Sequence, residues 1–103
     1  MVSEKYRLLL TYDIHPGHYE NYYQYMLGEF VPTMQKLELR MIFAWHVQGD
    51  KYPQRQVEFV CTNRKYLFTA LNDPEFHEAE ERLKNFTMSY TRKVVRFKNR
   101  FQF

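Results

Sequence analysis

Four histidines, one tryptophan and one cysteine hold much of the reactive chemistry available to this 103-residue chain. His46 directly follows the single tryptophan, Trp45. An imidazole titrates near working pH, and a carboxylate such as Glu58 or Asp13 could orient it in a semi-closed cavity. His46 is therefore the candidate general base, with Tyr12, Asp13, Glu58 and Arg92 as candidate polar groups holding a small-molecule substrate. The plainer reading makes His46 a hydrogen-bonded interface residue, since a lone histidine without an identified nucleophile or acid is a thin signature.

Two further clusters invite chemistry. The stretch Asp13-Ile14-His15-Pro16-Gly17-His18 offers oxygen and nitrogen ligands, but its spacing suits no familiar metal motif, and no metal or other cofactor is assigned. After Glu81 the chain carries no acid, while Arg92, Arg96, Lys98 and Arg100 form an alternating basic row. Such a row could bind phosphate. It lacks the glycine-aromatic strands with which RNA-binding domains of similar topology stack bases, and the net charge is only +3. Nucleic acid is not an expected partner, and the row reads as a solvated strand edge. The single Cys61 can make no disulfide within the chain and matches no paired-cysteine motif. It reads as a small buried hydrophobe in a reducing, cytoplasmic setting.

These residues need elements to position them. Residues 5–13 alternate imperfectly and stop at Pro16 and Gly17, as a first strand would. From His18 the period changes: Tyr23, Met26, Leu27, Phe30, Met34 and Leu37 recur every three or four residues, the mark of one helix face, with a kink or restart expected at Pro32. Tyrosines 19, 22, 23 and 25 circle this helix and cannot share one pocket. Residues 39–47 read as a second strand, with Met41, Phe43, Trp45 and Val47 on one side and Ile42, Ala44 and His46 on the other. Gly49, Asp50 and Pro53 mark a hairpin turn into a third strand carrying Val57, Phe59 and Cys61 on one face.

Asn63 caps a helix over Arg64-Lys65-Tyr66-Leu67-Phe68, and Asp73 with Pro74 starts another. Phe76, Ala79, Leu83 and Phe86 form its apolar stripe, with Glu78, Glu80, Glu81 and Arg82 as a solvated face. Residues 90–103 alternate as a long last strand. The order strand, helix, hairpin, helix, strand predicts an α+β fold, the ferredoxin-like βαββαβ pattern with a four-stranded antiparallel sheet, as a single domain over residues 1–103. No stretch approaches the roughly 18 apolar residues of a membrane span, so no membrane partner is expected.

Helices can cover one face of such a sheet, yet Leu9, Ile42, Ala44 and Val60 place apolar groups on the other. A second copy is the expected cover, giving a homodimer whose sheets face each other. Within this frame the more hydrophobic row, Met41, Phe43 and Trp45, is expected under the helices, and His46 between the sheets. Tyr12 and Tyr90 are candidates for lining a cavity.

The element order, the glycine turn before Pro53-Gln54-Arg55-Gln56-Val57-Glu58-Phe59-Val60 and the helix start Leu71-Asn72-Asp73-Pro74-Glu75-Phe76 together resemble the dimeric α/β-barrel superfamily. That superfamily includes NIPSNAP-like proteins, antibiotic-biosynthesis monooxygenases and stress-responsive A/B-barrel proteins. The resemblance implies a barrel built from two ferredoxin-like protomers, with an inter-sheet cavity that enzyme members use for small aromatic substrates, polyketides or haem. It also implies that oxygenase and haem-degrading members line the pocket with an Asn, a Trp and a His. Trp45 and His77 are present here, but Thr11 and Asp13 stand where the first strand would need its Asn, so that set is not carried over and no haem is expected. The expected function is that of a homodimer with an inter-sheet cavity, either a small-molecule enzyme of the cofactor-independent oxygenase or isomerase type, or a ligand-binding or structural dimerisation module without catalysis.

Overall fold

The first strand, β1 (Ser3–Ile14), ends where Gly17 adopts φ +83°, a left-handed value that glycine tolerates without a Cβ clash. The computed structural model describes residues 3–46, 55–61 and 63–99. After β1 come α1 (Tyr19–Tyr25), a π-helical turn (Met26–Phe30), α2 (Val31–Lys36), β2 (Arg40–His46) and β3 (Arg55–Cys61). Helices α3 (Arg64–Leu71) and α4 (Pro74–Lys84) and strand β4 (Thr87–Asn99) complete the fold. The strands pair antiparallel in the order β2-β3-β1-β4, which is the expected ferredoxin-like sheet. The hairpin turn at Gly49, Asp50 and Pro53, and the basic and aromatic residues Arg100, Phe101 and Phe103, lie outside the described residues. No described helix is long and apolar enough to cross a membrane.

Helix boundaries follow the capping chemistry. The Asn63 side chain accepts from the Lys65 and Tyr66 amides at 2.8 and 3.4 Å, and the Asp73 carboxylate accepts from the Glu75 amide at 2.8 Å with Pro74 in the first turn. Each cap satisfies amides that would otherwise lack partners and contributes about 1 kcal/mol. At the end of α2 the Leu39 amide donates to Met34 O (2.8 Å) and the Glu38 amide to Gln35 O (3.0 Å), with Glu38 at φ 68°. This is a Schellman stop in which a glutamate occupies the position that glycine favours.

The first helical stretch differs from its expected face. Tyr22, Tyr25, Met26, Phe30 and Met34 are buried, whereas Tyr23 is 38% and Leu27 67% exposed. Steps of four residues drift round an α-helix by about 40° each. The π turn over Met26–Phe30 takes up that drift and keeps Phe30 and Met34 on the sheet, so the break falls there and Pro32 simply sits at the start of α2.

The core lies between the helices and one face of the sheet, where Leu8, Leu10 and Tyr12 of β1 meet Val57, Phe59 and Cys61 of β3. Cys61 is buried there, as expected of a small hydrophobe. Two irregularities decide which residues join this face. Met41 pairs with Phe59 but Phe43 pairs with Glu58, so Ile42 is an extra residue in β2. On β4, Thr91 pairs with Thr11 but Met88 with Asp13, and the extra residue there includes Ser89 at φ 56°. Each bulge reverses the alternation beyond it.

Candidate functional site

The Ile42 bulge overturns the expected placement of Trp45. Instead of lying under the helices with Met41, Phe43 and Trp45 stand on the open face opposite Glu58 and Gln56. They are 51% and 53% exposed and stack on each other at 5.8 Å. The Trp45 indole N–H donates to Gln56 Oε1 at 3.0 Å, which fixes the ring plane. The same register pairs the backbone of His46 with Arg55, one position past the Trp45–Gln56 pair. The His46 side chain lies outside the described residues, so its expected place between the sheets is not described.

Across the open face, the register mixes apolar and polar groups, with Arg40 on β2 and Lys93 and Thr91 on β4 standing in the same outer rows as the apolar side chains. Phe43 and Trp45 stand on β2, and Met88 and Val95, 39% and 37% exposed, stand on β4. Between them Arg7 pairs with Glu58 at 3.8 Å, the Thr11 and Thr91 hydroxyls hydrogen-bond, and Asp13 and Gln56 flank them, with Leu9 and Val60 filling the remainder.

The helix face holds a different constellation. Tyr12 is fully buried, its ring stacked on Tyr90 at 6.2 Å, and its hydroxyl is hydrogen-bonded to that of Tyr22 on α1. The Tyr90 hydroxyl donates to Glu80 Oε2 at 2.7 Å, and the same carboxylate pairs with Arg92 at 3.4 Å. Arg55 pairs with Tyr12 across β3 and β1, and its guanidinium lies 5.5 Å over the Tyr23 ring. Burial pushes the Tyr12 and Tyr90 phenols well above the ordinary tyrosine value and raises that of Tyr22, so all three remain neutral. The Tyr25 phenol, which donates to Ala79 O at 2.7 Å, is pushed up to about 12 for the same reason.

The four expected substrate-binding groups are thus divided by the sheet. Tyr12 and Arg92 meet on the helix face through Tyr90 and Glu80, while Asp13 and Glu58 stand on the open face. They cannot line one cavity. Glu80 corrects a second expectation: it is 7% exposed rather than part of a solvated face. Its spacing from Phe76 and Leu83, four and three residues, was the available signal, outweighed by its charge. Arg55 and Tyr22, equally central, stand out only through their partners.

The other candidates are dispersed. His77 is exposed on α4, on the opposite side of the sheet from Trp45, so the two share no pocket. The His15 and His18 rings lie 5.8 Å apart, and the His15 amide donates to Phe86 O at 2.9 Å. No group of three metal-ligating side chains gathers among the described residues. Arg92 and Arg96 occupy the β4 row opposite Leu10 and Tyr6, on the helix side of an edge strand; both are exposed, and Arg92 also pairs with Glu80. Two surface grooves, of about 240 and 310 Å³, lie between α1, the π turn and α4 and share Tyr25, Glu29 and Arg82.

No protein-family model matches the sequence, and no curated protein matches it significantly. Solved structures match its shape. An EthD-family protein from Bacillus halodurans superposes with a TM-score of 0.67 at 14% identity, over 88% of this chain and 96% of that one. A NIPSNAP-like domain protein from Burkholderia xenovorans gives 0.62 at 13% identity, over 90% and 84%. SnoaB, a cofactor-independent oxygenase from Streptomyces nogalater, gives 0.61 at 12% identity over 95% of both chains. At such identities the likeness is one of fold, and the chain has the ferredoxin-like α+β fold shared by EthD-family, NIPSNAP-like and antibiotic-biosynthesis-monooxygenase proteins.

Proposed function

We propose that two copies of this chain join by their open sheet faces into an α/β barrel that binds a small molecule between the sheets. The observation that carries this reading is the stacked Phe43–Trp45 pair, half exposed on a face that no helix covers. Exposed aromatics fixed by a hydrogen bond are rigid contact area, which loses little conformational freedom on association. Phe43 and Trp45 on β2 and Met88 and Val95 on β4 would seal against the second sheet, with Lys93 among them. The inner polar groups Arg7, Thr11, Asp13 and Glu58 would then face an enclosed space, where a few directed polar groups orient a ligand.

A similarly folded protein from Bacteroides fragilis, at a TM-score of 0.58 and 11% identity, is described as dimeric, which supports the assembly by analogy of fold. The oxygenase activity of SnoaB supports a small molecule over a macromolecule as ligand on the same footing. The register that sets Trp45 on the open face pairs position 46 with Arg55, opposite the helix-face Tyr12, so His46 is not carried forward as a base between the sheets.

Sedimentation velocity at micromolar concentration tests the assembly. The wild-type chain is expected at twice its 12.8 kDa mass, and Phe43→Glu with Trp45→Glu at the monomer mass with an unchanged circular dichroism spectrum. A monomeric wild type would sink the barrel. Native mass spectrometry of the purified dimer then reports whether a small molecule travels with it.

A further inference from the structure

The wider of the two grooves in the helix layer, about 310 Å³, is edged by Asn21 and Gln24 of α1, by Glu29 of the π turn, and by Arg82 and Asn85 at the end of α4. Tyr25 and Phe86 form its floor, with their rings 5.5 Å apart. Tyr25 is held there by its bond to Ala79 O, and Phe86 is half-buried. This volume stands at the small end of the range for ligand pockets, which suits one ring rather than an extended molecule.

The polar groups of this groove are unevenly engaged. The carboxamides of Gln56, Asn63 and Asn72, all outside it, bond to the Trp45 indole, the first amides of α3 and Phe68 O. Four carboxamide side chains have no hydrogen-bond partner among the described residues, and three of them, Asn21, Gln24 and Asn85, line this one groove. The fourth, Gln35, stands on α2. Each carboxamide offers an acceptor oxygen and two donor hydrogens in one plane. The two charged groups of the lining, Glu29 and Arg82, meet at 3.3 Å and offset each other, so the groove favours neither an anion nor a cation.

We propose that this groove binds a neutral monosaccharide, one pyranose ring, within a single protomer. A sugar hydroxyl donates and accepts, as a carboxamide does, so the three free side chains can each engage one. Two neighbouring hydroxyls match the Glu29–Arg82 pair, one donating to the carboxylate and the other accepting from the guanidinium. The C–H face of the ring lies on Phe86 beside Tyr25, an apolar contact that an open-chain polyol does not present ready-formed. A charged ligand would have to break the ion pair, and an apolar one would cover the carboxamides without bonding them. The groove belongs to the helix layer and not to the open sheet face, so it stands or falls separately from the barrel.

The test is an NMR titration that follows the side-chain amides of isotope-labelled protein, with methyl glucoside, methyl galactoside and methyl mannoside as probes and glycerol as the acyclic control. The Asn21, Gln24 and Asn85 resonances are expected to shift saturably with at least one glycoside and not with glycerol. Saturation is expected at millimolar concentration, the range for a ligand of about a dozen heavy atoms on an open groove. Asn21→Ala with Gln24→Ala, both on an exposed helix surface, is expected to weaken binding about fivefold or more, whereas Gln35→Ala leaves it unchanged. Glu29→Gln is expected to weaken it several-fold and decides the matter if the double variant does not fold. No saturable shift with any of the three glycosides, an equal shift with glycerol, or binding unchanged in these groove variants overturns the proposal and leaves the carboxamides to solvent.

Discussion

On the helix face of the sheet Leu8, Leu10, Tyr12, Val57 and Phe59 are fully buried, whereas on the open face Phe43 and Trp45 keep about half of their surface in water. Both faces carry large aromatics and both carry an arginine–glutamate pair. The difference lies in what surrounds those pairs. Glu80 accepts from Tyr90 and Arg92 in a setting closed by α4, while Glu58 meets Arg7 at the longer distance of 3.8 Å on an uncovered surface. Similar residues hold the protomer together on one face and remain available for association on the other. Composition alone therefore does not distinguish core from interface.

The largest expected effect separates the faces by stability. Tyr12→Ala removes a fully buried ring together with a hydroxyl partner of Tyr22, and should cost about 3–5 kcal/mol in urea denaturation. Trp45→Ala, measured on the dissociated protomer, should cost less than about 1 kcal/mol, because its ring is half solvated already. Equal losses at the two positions would abolish the distinction.

An alkaline titration sharpens the contrast. The Tyr25 phenol is held at about 12 in the folded chain against 10.0 ordinarily, and Tyr12, Tyr22 and Tyr90 are raised in the same direction. A raised folded pKa means that the folded state keeps its protons longer. That contribution is full below pH 10 and is lost as pH rises through the folded values. Chemical denaturation should show stability falling from pH 10 upward, and Tyr25→Phe should make the fall shallower.

The smallest effect belongs to the helix layer alone. Glu38 holds φ 68° at the end of α2, where a side chain is strained and glycine is not. Glu38→Gly should raise the melting temperature slightly, corresponding to about 0.5–1 kcal/mol, without altering the sedimentation behaviour set by the open face.

Periodicity and turn chemistry made the element order, both helix caps and the burial of Cys61 legible in the sequence. Those signals are local and depend on residue type. The face of Trp45 was not legible, because one extra residue at Ile42 inverts every position after it and leaves no mark in composition. The burial of Glu80 was hidden for a different reason. A charged residue reads as solvated unless its partners are known, and Tyr90 and Arg92 come from a strand that only the fold brings alongside. The phase of the first helix failed likewise, since a π turn looks from the sequence like an ordinary helical turn.

The pairing of β1 with β4 reaches from Ser3↔Asn99 to Ile14↔Thr87 and joins opposite ends of the described chain. During synthesis β1 can pair with β3 on one side, but its other side waits for β4, which follows all the other described elements. Until then one side of the strand that carries Leu8 and Leu10 is an open edge. Such long-range closure slows folding and leaves nascent chains prone to aggregation. Closing the β1–β4 edge, rather than forming the β1–β3 pair, is the step that this strand order makes slow.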